Sequence, residues 1–133
     1  MISYPELFSK LTYETALVTF LKKDGTIRVM LCTRNLDTIS LNFGFQGHAL
    51  GGHDNRCNIK NGNIAVFDLI IGEARSFSTD RLIDVIFSGI ITNKDDLDKC
   101  IQSYKEFKEK YEASHQMTLN MDTFDGGETN VEN

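Results

Sequence analysis

Arg75 and Arg81 stand at either end of Ser76-Phe77-Ser78-Thr79-Asp80 and are the residues best suited to chemistry in this chain. A guanidinium presents a rigid planar fork of N–H donors that matches phosphate and carboxylate oxygens. The plainer alternative is that Arg81 pairs with Asp80 or Asp84 and Arg75 with Glu73, which would only hold a corner. Phe77 is a core residue under either reading. A wider set, Arg28, Arg34, Arg56, Lys60, Arg75 and Arg81 with Phe43 and Phe45, has the makings of a nucleic-acid surface. Small barrels bind single strands by combining a basic groove with stacking aromatic rings. Scattered solvated charges and two buried phenylalanines are the competing account.

A second cluster, His48, His53, Asp54 and Cys57, contains residue types that ligate zinc. Its spacing fits no finger or ribbon, and no second cysteine pair completes a site, so an ordinary polar loop is expected and no metal. Cys57 with His48 or His53 supplies a thiol and a base, but nucleophilic catalysis also needs an orienting partner. Gly51-Gly52 lacks the Lys-Ser/Thr ending of a phosphate-binding loop. The expectation is a protein that is not an enzyme and uses no cofactor.

The elements that must position these residues fit into one domain of 133 residues, 41% apolar and 25% charged. The net charge of −5 is uneven. Residues 116–133 carry Asp122, Asp125, Glu128 and Glu132 with no Lys or Arg, leaving 14 basic and 15 acidic side chains in residues 1–115. A single domain over 1–115 and an acidic, flexible tail over 116–133 follow, the tail being either a solvated terminus or a lure for basic surfaces. A near-neutral body still allows a local basic face. Cys32, Cys57 and Cys100 are odd in number and widely spaced, which suits a reducing compartment. The start lacks signal-peptide character, and no apolar run reaches the ~20 residues of a membrane span. A soluble, intracellular chain with no membrane partner is expected.

Periodicity predicts a short N-terminal helix through Leu7, Phe8 and Leu11, with Pro5 in its first turn. Thr15–Leu21 and Ile27–Thr33 alternate as strands about the turn Lys22-Lys23-Asp24-Gly25. In the second strand Ile27, Val29 and Leu31 are expected inward, because the other face begins with Arg28. Leu36 and Ile39 allow one further helical turn before a Gly-rich connection. Ile64–Ile71 reads as a nearly continuous apolar strand, followed by strands over 74–77 and 82–91. Asn93 caps a last helix whose stripe is Leu97, Cys100, Ile101, Tyr104, Phe107 and Tyr111. That stripe would pack on the barrel or form a partner-binding face.

Three blocks in this order resemble a family of small proteins of tailed bacteriophages, built on an Sm-like or SH3-like barrel and distantly related to WYL domains. They are Val18-Thr19-Phe20 through Asp24-Gly25-Thr26 to Arg28-Val29-Met30 and Cys32-Thr33; Val66-Phe67-Asp68; and Arg75-Ser76-Phe77 to Asp80-Arg81-Leu82. The resemblance implies a mainly β protein with α-helices, a five-stranded SH3-like barrel with a short N-terminal helix and a C-terminal amphipathic helix. It also implies that Arg75 and Arg81 match corner arginines that contact ligands or nucleic acid in WYL-like domains. The function expected is that of a phage accessory protein in the cytoplasm of the infected bacterium. It would bind a host or phage protein through the 43–57 loop and the helix stripe, or alternatively nucleic acid through Arg75, Arg81, Arg34, Arg56, Phe43 and Phe45.

Overall fold

The computed structural model describes residues 2–44 and 59–123, with side chains through residue 112. Helix α1 (Tyr4–Tyr13) starts where the Ser3 hydroxyl accepts the Glu6 backbone N–H, with Pro5 in the first turn, where a missing N–H is harmless. Five strands follow: β1 (Thr15–Leu21), β2 (Ile27–Thr33), β3 (Asn63–Asp68), β4 (Glu73–Ser78) and β5 (Leu82–Gly89). Helix α2 (Leu36–Phe43) lies between β2 and β3, and helix α3 (Lys94–Thr123) follows β5. The strands form one antiparallel sheet in the order β4-β3-β2-β1-β5.

The sheet curls into a barrel. β1 and β4 are three strand spacings apart in sheet order, which in a flat sheet is about 14 Å. Yet the rings of Phe20 on β1 and Phe77 on β4 stack with centroids 5.5 Å apart. Register shifts in β1 against β5, at Thr15/Ala16 and Thr19/Phe20, supply bends of the kind that let a sheet roll up. The interior holds Ala16, Val18, Phe20, Met30, Cys32, Ile64, Val66, Phe77 and Leu82, closed at one end by Leu7 and Leu11 of α1. The Tyr4 hydroxyl donates to the Asn63 carbonyl (2.8 Å), which fixes α1 to the start of β3.

This interior reverses the facing expected for β2. Met30 and Cys32, not Ile27, Val29 and Leu31, point into the main core, and Arg28 lies on their side of the strand. Arg28 is tolerated there because β2 pairs with β3 only through Cys32–Asp68 and Thr33–Phe67, so the interior is open where Arg28 stands. Val29 and Leu31 are buried as well, on the opposite face. Phe67 of β3 is also buried, and Phe43 of α2 packs against it at 5.2 Å.

Two further elements differ from the pattern in the sequence. β3 stops at Asp68 instead of running to Ile71, because Asp68 Oδ1 accepts the N–H groups of Ile70 (2.8 Å) and Ile71 (3.1 Å) and turns the chain. The turn ends at Gly72, whose φ of +75° favours glycine. Helix α2 is two turns long, started by Asn35, whose Oδ1 accepts from Asp37 and Thr38.

The chain divides into two units, residues 1–101 and 102–133. In the first, Asn93 Oδ1 accepts the Asp96 N–H (2.9 Å) and its amide donates back to the Asp96 carboxylate (3.0 Å), capping α3 as expected. In the second, Phe107 stacks on Tyr111 (5.9 Å), Lys108 pairs with Glu112 (3.9 Å) and Gln102 donates to Glu106 (3.2 Å). Helix α3 runs beyond residue 115 to Thr123, and residues 124–133 of the expected acidic tail lie outside the described residues. No described helix is long and apolar enough to cross a membrane.

Candidate functional site: a cationic cleft

Where β2 leaves β3, a cleft of about 660 Å³ opens between the β1–β2 hairpin and β3–β4. The hairpin turn is built by its own sequence. Gly25 takes φ +90° and donates to the Lys22 carbonyl (3.0 Å), while Lys22 donates back to Thr26 (2.7 Å). Asp24 Oδ1 accepts both the Thr26 hydroxyl (2.6 Å) and its N–H (2.9 Å). These bonds hold the Asp24 carboxyl below the ordinary carboxylate range, so it is ionised at neutral pH.

The charged side chains described in the lining are Lys22, Lys23, Arg28, Arg75, Arg81 and a single carboxylate, Asp24. They come from three separate places in the chain: the hairpin with the start of β2, strand β4, and the 3-10 turn Thr79–Arg81 that joins β4 to β5. The Ser78 hydroxyl starts that turn by accepting from the Asp80 N–H (3.3 Å). Arg81 donates from Nη1 to the Lys22 carbonyl (3.2 Å), tying the turn before β5 to the hairpin beside the Phe20–Leu82 pair. Arg75 lies 3.9 Å from both Asp68 and Glu73, so the pairing with Glu73 expected as the structural alternative is present. Both contacts are long, and the buried Nε of Arg75 has no hydrogen-bond partner. Arg75 is therefore positioned by carboxylates without having its donors used up. The stacked pair Phe20 and Phe77 forms the apolar floor.

The structure thus brings Arg75 and Arg81 together with Arg28. It does not bring Arg34 and Phe43 to them. Arg34 donates to the Ala65 carbonyl and lies over the Phe8 ring at 4.5 Å, while Phe43 packs against Phe67. Arg56 and Phe45 lie outside the described residues, as do His48, His53, Asp54 and Cys57. Lys22 and Lys23 were legible in the sequence as a turn, and their place in the cleft follows only from the sheet's curl. Neither described cysteine is an activated nucleophile. Burial pushes the Cys32 thiol far up, with Asp68 adding to it, and burial raises Cys100 against a partly offsetting hydrogen bond with Ser88. Among the described residues no three His, Cys, Asp or Glu side chains group so as to hold a metal ion.

A model of the WYL_2 family, described as an Sm-like SH3 β-barrel fold, matches residues 5–83, a span that contains every cleft residue named above. No curated protein and no solved structure matches the chain. With strands, curl and match in agreement over more than half its length, the chain belongs to the WYL_2 family of Sm-like SH3 β-barrels.

Proposed function

We propose that this protein is a non-enzymatic binding module that engages the phosphates of single-stranded nucleic acid through the cleft between its hairpin and β3–β4. The observation that carries this reading is the convergence of Lys22, Lys23, Arg28, Arg75 and Arg81 on one cavity with Asp24 as the carboxylate described in its lining. Such a charge excess concentrates anions, and the arginine forks supply charge-assisted hydrogen bonds to phosphate oxygens. A volume of about 660 Å³ lies within the range of ligand sites, roughly 300–1,000 Å³. The setting proposed, the cytoplasm of a bacterium infected by a tailed phage, rests on the residue blocks that resemble the phage proteins.

Titration of a labelled single-stranded oligonucleotide at several salt concentrations tests this. Affinity is expected to fall steeply with salt, with a log–log slope of about −0.7 for each phosphate engaged. Arg75→Ala combined with Arg81→Ala should remove most of the binding and flatten that slope. Affinity indifferent to salt and to both substitutions would discard the reading.

A second reading, docking of a host or phage protein, draws on a different observation. Ile83, Ile86 and Ile90 are 43%, 44% and 62% exposed along and just past β5, which is an edge strand. An apolar edge is a template for pairing with another chain. A partner retained from nuclease-treated lysate by the wild type and lost from an Ile86→Lys variant that still folds would favour it. Retention that survives Ile86→Lys would count against this edge.

A further inference from the structure

We infer that the cleft takes a terminal phosphate, the phosphomonoester at the end of a strand, in preference to the phosphodiesters along it. The inference rests on the nucleic-acid reading above and narrows it to one chemical group.

Three features of the cleft point this way. First, one side of the cleft is closed. Arg81 donates to the Lys22 carbonyl beside the paired β1–β5 edge, where Phe20 stands opposite Leu82. A chain end can enter from the open side and stop against this edge.

Second, the cations converge instead of forming a track. Arg28, Arg75 and Arg81 come from three different elements and line a single cavity. A phosphodiester carries one negative charge and two free oxygens. A phosphomonoester carries about −1.5 to −2 at neutral pH and offers three strong acceptor oxygens. Arg75 keeps guanidinium N–H groups available for this, since its carboxylate contacts are both 3.9 Å, beyond hydrogen-bond reach.

Third, the floor offers no ring for bases to stack on. Non-specific recognition along a strand relies on exposed aromatic side chains beneath successive bases. The aromatic residues described in the lining, Phe20 and Phe77, stack on each other and are only 8% and 3% exposed. What the cleft presents to a ligand is charge, and charge selects the most highly charged part of a strand.

The test uses one short, internally labelled DNA oligonucleotide in four forms: 5′-phosphorylated, 3′-phosphorylated, hydroxyl at both ends, and circularised. Fluorescence anisotropy with the full-length protein is expected to show at least one phosphorylated form binding about tenfold tighter than the hydroxyl-ended and circular forms. That preference should disappear in Arg75→Ala/Arg81→Ala, or in Arg28→Ala should the double variant fail to fold. Equal affinity for all four forms, or a circle bound as tightly as a phosphorylated end, overturns the terminal-phosphate inference and leaves the nucleic-acid reading standing. Absence of binding to every form at low salt overturns both.

Discussion

The two ends of strand β2 lie a few residues apart and behave as different materials. At its C-terminal end Met30, Leu31, Cys32 and Thr33 are all buried, the strand is paired on both sides, and α1 closes the barrel over it through Leu7 and Leu11. At its N-terminal end β2 runs past the end of β3 and, among the described strands, pairs with β1 alone; Arg28 occupies an interior-facing position there and lines the cationic cleft. One strand thus serves the core and the candidate site in turn. The change from one role to the other is set by where its pairing with β3 ends. The lesson is that an arginine on the inner face of a barrel strand marks the place where the barrel opens, since a guanidinium without water or partners there would be strongly unfavourable.

The sharpest way to break this comparison is to damage each end separately. Phe67→Ala removes a ring that is 1% exposed and packed on Phe43, beside the paired end of β2. A loss of about 3–5 kcal/mol is expected, read from chemical denaturation. Arg28→Ala at the open end should change stability by less than about 1 kcal/mol while weakening anion binding roughly tenfold. If Arg28→Ala unfolds the protein, the cleft is part of the core and the contrast fails.

A smaller effect is expected at Gly72, in the turn set by Asp68. Its φ is +75°, and an added Cβ would sit 2.8 Å from Phe43 Cε1. Gly72→Ala combines a left-handed backbone penalty with displacement of the Phe43 ring, an expected cost of about 1–3 kcal/mol. Thermal melting checks it, and oligonucleotide affinity at the cleft should be unchanged.

The smallest effect belongs to Asp24. Removing the one carboxylate described in the cleft lining by Asp24→Asn should tighten anion binding about two- to threefold at neutral pH, because the group is exposed and screened. The hairpin should weaken slightly at the same time. The sign follows from its lowered pKa: the stabilisation is present above the ordinary carboxylate range and is lost as pH falls through the depressed value. A variant that binds anions more weakly would show that Asp24 helps to hold the ligand instead of opposing it.

Much of the scaffold was legible in the residues. The hairpin followed from Lys22-Lys23-Asp24-Gly25 between β-branched runs, and α1 and the start of α3 followed from Pro5, Asn93 and their apolar spacing. Arg75 and Arg81 stood out because they flank a short corner. The facing of β2 was not legible. Both of its faces are buried, so alternation carries no signal, and Arg28 misleads because it is inward yet beside an opening. Nor was the end of β3 legible, since Ile70 and Ile71 continue the apolar run while the Asp68 carboxylate takes their N–H groups out of the strand.

Local sequence determined where strands, turns and helices begin, because turn glycines, capping side chains and β-branched runs act over a few residues. It also determined that arginines would mark the corner between β4 and β5. Only the tertiary structure decided that Arg28, Lys22 and Lys23 would share a cavity with Arg75 and Arg81. That depends on a curl bringing β1 against β4 and on pairing that stops at Cys32–Asp68, both products of long-range packing that no short stretch of sequence encodes.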